Sequence, residues 1–277
     1  MMVFPIWRLA VLAAVVPHVQ ADANMTPDYE VKLLMDPSVV LGTNNKLTAT
    51  VLSAFSMPTT VTKMNVQFLD TDALDINTEG WSVRIRKKED EDDFELTYKK
   101  RYSVSDDDVE AALDTANEEG FDEDNEDKYD AQIEYGYSKK TLSISRKKSH
   151  SDSGYSGMDL PDLDDSIDML VDEAPGKFVD WVDDNWGTDL LEESRIYGPV
   201  LAKRSIGIYD GEELYIEVWP ILNETGTGVE YLVEASFKVD TESNAATKQA
   251  SLETYLTNQG WFLAGDALKT SLMLERY

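Results

Sequence analysis

The feature that most constrains this chain is a two-residue rhythm in which successive segments carry charge on one face. Residues 29–34, 62–69, 81–87, 94–102, 131–137, 200–208, 213–220, 231–238 and 271–276 alternate polar with apolar side chains and are rich in β-branched and aromatic types, which predicts strands. Side chains alternate along a strand, so Arg84 and Arg86 share a face, as do Lys99 and Arg101 on the next segment. Of Lys203 and Arg204 only one can join them. Asp28, Glu30 and Lys32 share a face of the first segment. Glu134, Glu217 and Glu234 fall in later ones, with Ser236 and Lys238 on the face of Glu234.

Helical patterns are fewer: residues 105–117, opened by a capping Ser105, then 166–172, 177–186, 194–197, and 245–259 with Gly260 as a stop. Residues 118–128 and 149–165 read as acidic and polar loops. Neither a long linker nor an internal repeat divides the chain. The expectation is one α+β, mainly β domain over residues 24–277, a closed or strongly curved antiparallel sheet with a few flanking helices.

Alternation alone favours the ordinary arrangement, with the charged face in solvent. Closing the strands into a barrel would put that face inside, and a charged interior is costly unless its charges pair or hold a ligand. A polyphosphate held by Arg and Lys, with carboxylates holding a divalent metal, would satisfy such an interior.

The rest of the sequence excludes alternatives. With 54 acidic against 25 basic residues the net charge is −29, a field that repels nucleic acid and anionic membranes. Absence of cysteine removes thiol nucleophiles, disulfide scaffolds and zinc–thiolate sites. Residues 1–23 hold an apolar run around Arg8 and close on Ala21-Asp22-Ala23, which reads as a signal peptide and predicts a secreted protein. No later run approaches the length of a membrane span. Asn24 and Asn223 head glycosylation sequons. His18 and His150 are the only histidines, leaving little support for histidine acid–base chemistry, and the Ser156 region lacks a nucleophile elbow. Trp181, Trp186, Trp219 and Trp261 are read as core residues, and the acidic run 106–130 lacks a calcium-loop register.

One ordered series goes further. Asp28-x-Glu30-x-Lys32 resembles the opening E-x-E-x-K strand of the CYTH-like, or triphosphate tunnel metalloenzyme, family. Asp70-Thr71, Gly80 and Arg84-x-Arg86 resemble its second block, and Glu95-x-Thr97-x-Lys99 its next strand. Glu134, Lys203-Arg204, Glu217, Glu234 and Lys269-Thr-Ser271 follow in the family's order. The resemblance implies an eight-stranded antiparallel tunnel that binds, and in most members hydrolyses, a triphosphate-type anion with Mg²⁺ or Mn²⁺. It implies phosphate binding by Lys32, Arg84, Arg86, Lys99 and Arg204. It assigns metal binding to Asp28, Glu30, Glu134, Glu217 and Glu234, with Glu30 and Glu234 as catalytic groups. Two positions depart: Asp28 stands where the family has Glu, and Ser236 where it has a second carboxylate. Two functions follow, a metal-dependent phosphohydrolase or an exported binding or structural protein that kept the tunnel without the chemistry.

Overall fold

The computed structural model describes residues 23–124 and 128–277. The expected signal segment lies outside the described residues except for Ala23, as do residues 125–127 of the acidic loop.

The chain runs β1 (Asp28–Met35), α1 (Pro37–Val40), α2 (Ala49–Ala54), β2 (Thr62–Asp70), α3 (Asp75–Thr78), β3 (Trp81–Lys88) and β4 (Phe94–Val104). It continues through α4 (Val109–Glu118), β5 (Asp130–Tyr135), β6 (Lys140–His150), α5 (Leu163–Asp172), α6 (Gly176–Val179) and α7 (Trp186–Glu192). It ends with β7 (Arg195–Tyr209), β8 (Glu212–Leu222), β9 (Val229–Val239), α8 (Glu242–Gln259) and α9 (Lys269–Arg276).

The strands close into a barrel in the order β1-β5-β6-β4-β3-β2-β7-β8-β9. The expected count of eight antiparallel strands is therefore corrected to nine, in a mixed barrel. The two corrections have one cause. An odd ring cannot close with antiparallel neighbours alone, and the parallel seam falls where Glu30 of β1 lies beside Glu134 of β5. The additional strand, β6, pairs antiparallel with both β4 and β5.

Two other expectations are corrected. Residues 271–276 lie in helix α9, whose buried Thr270, Met273 and Leu274 stand at the three- and four-residue spacing of one helical face. The short apolar run Leu272-Met273-Leu274 fits either period, and packing decides it. Residues 195–197, expected to be helical, open the long strand β7.

The barrel is apolar outside and polar inside. Val83 and Ile85 of β3, Leu96 and Tyr98 of β4, Leu142 and Ile144 of β6, and Val233, Ala235 and Phe237 of β9 face outward into one buried core. Helix α4 covers it with Leu113 and Ala116, α5 with Leu170, α6 with Phe178, and α8 with Ala245, Leu252 and Leu256. Each Val, Leu, Ile or Phe among them contributes about 1.5–3 kcal/mol on burial. Helix α8 is capped by Thr241, which accepts from the Asn244 N–H, and ends at Gly260 in the left-handed conformation (φ 70°), the stop its sequence predicts. Since the outward residues are committed to this core, their sequence neighbours must point into the barrel.

α9 fills one sector of the interior. Its Met273 and Leu274 join Met64, Val66, Phe68, Ala202, Trp219 and Ile221 from β2, β7 and β8 in a second, smaller apolar cluster. The helix is pinned at its end: Arg276 donates to the Leu222 carbonyl at 3.0 Å, and the Tyr277 hydroxyl accepts from the Leu222 N–H at 3.0 Å. No described helix is long and apolar enough to cross a membrane.

Candidate functional site

The inward faces of β1, β3, β4, β5, β7, β8 and β9, with the first residue of α9, assemble a charged chamber. Lys32, Arg84, Arg86, Lys99 and Arg204, read as phosphate-binding from the sequence, all line it. Arg84 and Arg86 both reach Glu95, at 3.2 and 2.7 Å. Lys99 crosses β6 to Glu134 at 3.0 Å, and Lys32 meets the other oxygen of that carboxylate at 3.2 Å. Arg204 donates twice to Glu217 Oε1, at 2.9 and 2.6 Å. It is the inward member of the Lys203–Arg204 pair, placed opposite Glu217 in the β7–β8 register.

Three further residues complete the chamber. Glu95 accepts from Arg84, Arg86 and Thr97. Arg101 donates to the Ser82 and Thr270 hydroxyls, with no carboxylate at ion-pair distance among the described residues. Lys269, at the start of α9, reaches Glu217 Oε2 and Glu234 Oε1, both at 2.6 Å. Each was legible in part. Arg101 lies two positions after Lys99, Glu95 opens the same strand motif, and Lys269 stands in the ordered series. What the sequence lacked was the helix that carries Lys269 into the barrel.

The electrostatics follow from this crowding. Burial lowers the proton affinity of the Lys32 ammonium, but Glu134 and Glu30 outweigh it and hold the group firmly charged. Lys99 has one carboxylate and three cationic neighbours. Burial first, then Arg101, Lys32 and Arg84, overcome Glu134 and push its pKa down to about 8. Arg84 is drawn to about 10 by burial and by Arg86, and stays cationic at neutral pH. Burial would raise Glu134, yet Lys32, Lys99 and Arg101 hold it well below the usual carboxylate range. Glu95 and Glu217 are held low by their cations in the same way.

Among the described residues, the ion-pair network of the chamber and its rim sets eight cationic groups (Lys32, Arg84, Arg86, Lys88, Lys99, Arg101, Arg204 and Lys269) against six carboxylates (Glu30, Glu91, Glu95, Glu134, Glu217 and Glu234). The Nε atoms of Arg84, Arg86 and Arg101 are buried without a hydrogen-bond partner. The other nitrogens of these side chains donate to Glu95, Thr97, Ser82 and Thr270, and an unmet buried donor costs roughly 1–3 kcal/mol that an acceptor brought to this wall of β3 and β4 would recover. Beside α9 the chamber opens into a cavity of about 330 Å³ whose charged lining is Lys32 and Lys139 together with Glu134, Glu234, Asp266 and Glu275, so the cationic side of the chamber is the β3–β4 wall and not this opening.

The residues read as metal ligands are engaged otherwise. Glu217 accepts two bonds from Arg204, one from Lys269 and one from Trp219 Nε1 (2.8 Å), which occupies its lone pairs. Glu134 accepts from Lys99 and Ser143 and pairs with Lys32. Glu30 pairs with Lys32 at 3.2 Å, Glu234 with Lys269, and Asp28 lies exposed at the first position of β1, beside Gln132. Among the described residues no group of three or more Asp, Glu or His is gathered for a metal ion. As arranged, this donor set does not fit Mg²⁺ or Mn²⁺, whose carboxylate ligands need free lone pairs facing one point. Asp70, from the second motif block, lies outside the chamber. Its buried carboxylate accepts from the Thr71, Ile76 and Asn77 N–H groups and shapes the turn into β3.

No family model matches the chain, and no curated protein matches it. Among solved structures, it is similar to a Hippeastrum protein described as a candidate adenylyl cyclase with a dominant triphosphatase activity. The identity there is 15%, over 90% of this chain and 99% of that one, with a TM-score of 0.49. A candidate adenylate cyclase of Bacillus halodurans is similar at 12% identity over 91% and 98% of the two chains (TM-score 0.47). A Pyrococcus horikoshii protein follows at 14% identity over 90% and 100% (TM-score 0.44).

Proposed function

We propose that this protein binds a polyphosphate-type anion, of the triphosphate class, inside its barrel. The observation that carries the reading is the cationic excess of the β3–β4 wall, where Arg84, Arg86, Lys99 and Arg101 converge and three guanidinium Nε–H donors lack acceptors, in a chain whose net charge is −29. Arg forks match phosphate oxygens in geometry and charge, and several converging cations select a ligand with several negative charges. Arg84, Arg86, Lys99 and Arg101 form the binding wall, with Lys32 and Arg204 on flanking strands.

Binding is favoured over hydrolysis. Metal-assisted phosphoryl transfer needs carboxylates free to place a metal and orient the attacking water. Here Glu30 and Glu234 are each held by an ammonium group. Export follows as part of the same reading, supported by the apolar run and small-residue boundary of residues 1–23. A secreted protein beginning at Asn24, read by N-terminal sequencing, checks it.

The test of binding is a melting curve with tripolyphosphate, pyrophosphate and ATP. Tripolyphosphate raises the melting temperature, and the Arg84→Ala, Lys99→Ala double variant loses the shift. Absence of a shift with all three anions overturns the reading. Phosphate release with Mn²⁺ above the level of a Lys32→Ala, Arg84→Ala double variant would restore the hydrolase.

A further inference from the structure

Glu217 and Glu234 face each other across the β8–β9 register. Two buried carboxylates placed so closely repel unless a cation lies between them. In this chain the cation is internal. Lys269 Nζ stands 2.6 Å from one oxygen of each. Its ammonium also lies 5.2 Å from the centre of the Trp219 ring, and Trp219 Nε1 holds the same Glu217 oxygen that Lys269 reaches. Burial lowers the proton affinity of Lys269, but Glu217 and Glu234 more than offset it, so the group stays charged.

The position is built in. Met273 and Leu274, one helical turn further along α9, are buried in the apolar sector of the barrel, and Arg276 and Tyr277 tie the end of the helix to Leu222 of β8. The helix therefore delivers its first side chain to a fixed point. Arg204 completes the arrangement from β7, taking the opposite oxygen of Glu217.

We infer that the Lys269 ammonium takes the place of a divalent cation between Glu217 and Glu234, so that anion binding in the barrel is independent of divalent metal. The inference rests on the anion-binding reading but is separable from it. A side-chain ammonium has no coordination sites to share with a phosphate oxygen or a water. The pair of carboxylates is thereby neutralised without supplying a Lewis acid, and the anion is compensated by protein groups alone.

Two measurements decide it. First, tripolyphosphate binding is followed by calorimetry on the wild-type protein in excess chelator and in Mn²⁺. Undiminished binding in chelator is expected, whereas binding that requires Mn²⁺ overturns the inference and leaves the anion reading standing. Second, Mn²⁺ is titrated by electron paramagnetic resonance into anion-free wild type, Glu234→Gln, Lys269→Met, and Lys269→Met combined with Glu234→Gln. Methionine keeps the apolar stem over Trp219. The expected result is a stoichiometric site gained in Lys269→Met and lost in the double variant. A wild-type site that Glu234→Gln removes overturns the inference. Should tripolyphosphate bind under neither condition, the anion reading fails, and the Mn²⁺ titration alone still decides the role of Lys269.

Discussion

Glu134 is the carboxylate on which the chamber's charge balance turns, and its neutralisation is the most informative perturbation. It is 4% exposed, 3.0 Å from the Lys99 ammonium and 3.2 Å from that of Lys32, and it accepts from the Ser143 hydroxyl at 2.8 Å. In Glu134→Gln the two ammonium groups face an amide and repel each other. At an effective dielectric near 20, each lost ion pair amounts to about 5 kcal/mol of gross attraction. The several kcal/mol spent on desolvating the carboxylate are recovered at the same time, leaving a net loss of about 3–5 kcal/mol. For a domain of this size that is a fall in melting temperature of about 6–20 °C. Urea denaturation of both proteins, with and without tripolyphosphate, is the assay. The variant is expected to be less stable alone and to gain more from the anion than wild type does, because the ligand supplies the negative charge that Glu134 removed. A variant as stable as wild type would refute the ion-pair account, and an equal gain from the anion in both would refute the placement of the ligand beside Lys32 and Lys99.

Lys99 supplies a pH signature: with its pKa lowered to about 8 in the anion-free fold, tripolyphosphate affinity falls above pH 8, and calorimetry in buffers of different ionisation enthalpy records proton uptake on binding. The stability contribution of the same group runs the other way. Between about pH 8 and the unfolded value of 10.5 the unfolded chain holds the extra proton, so the Lys99 contribution to anion-free stability, read by urea denaturation, rises over that window and is lost again in Lys99→Met. Arg101→Met is expected to weaken tripolyphosphate binding about tenfold or more with little loss of stability, since it removes a charge that has no carboxylate partner; a stability loss as large as that of Glu134→Gln would contradict this. Met273→Ala, which hollows the apolar sector where α9 meets the barrel, should cost about 2–5 kcal/mol by urea denaturation.

How much of this was legible depended on what each strand's two faces do. β3 reads clearly because Val83 and Ile85 are committed to the outer core while Arg84 and Arg86 are long, charged and two apart. β6 was missed for the opposite reason. Its inward positions are Thr141, Ser143 and Ser145, small polar residues that resemble a loop, and only Leu142 and Ile144 mark the outer face. The eight-stranded antiparallel expectation came with the family resemblance; with β6 in the ring and residues 271–276 in a helix, the barrel has nine strands and closes through the parallel seam between β1 and β5. α9 was misread because an apolar triplet carries no period of its own. Its helical conformation is selected by the space left inside the barrel between β2, β7 and β8, a tertiary effect that no window of sequence contains.

The same reasoning explains why the site's cations were easier to place than the function of its acids. A cation on a strand face announces a direction, and the core on the other face confirms it. A carboxylate announces only that it needs a positive partner, and a metal ion, a lysine or an arginine answers equally well in sequence. Glu217 and Glu234 stand where the resemblance implies metal ligands, yet their partner is an ammonium delivered from a helix 35 to 52 residues further along the chain. Removing that ammonium would leave the two acids facing each other in a buried space, so Lys269 and the carboxylates depend on one another for the stability of this wall. The chamber therefore reads as a set of charges already balanced among themselves on the side of β8, β9 and α9, and unbalanced on the side of β3 and β4. A ligand that restores that balance must bring negative charge and must approach Arg84, Arg86 and Arg101.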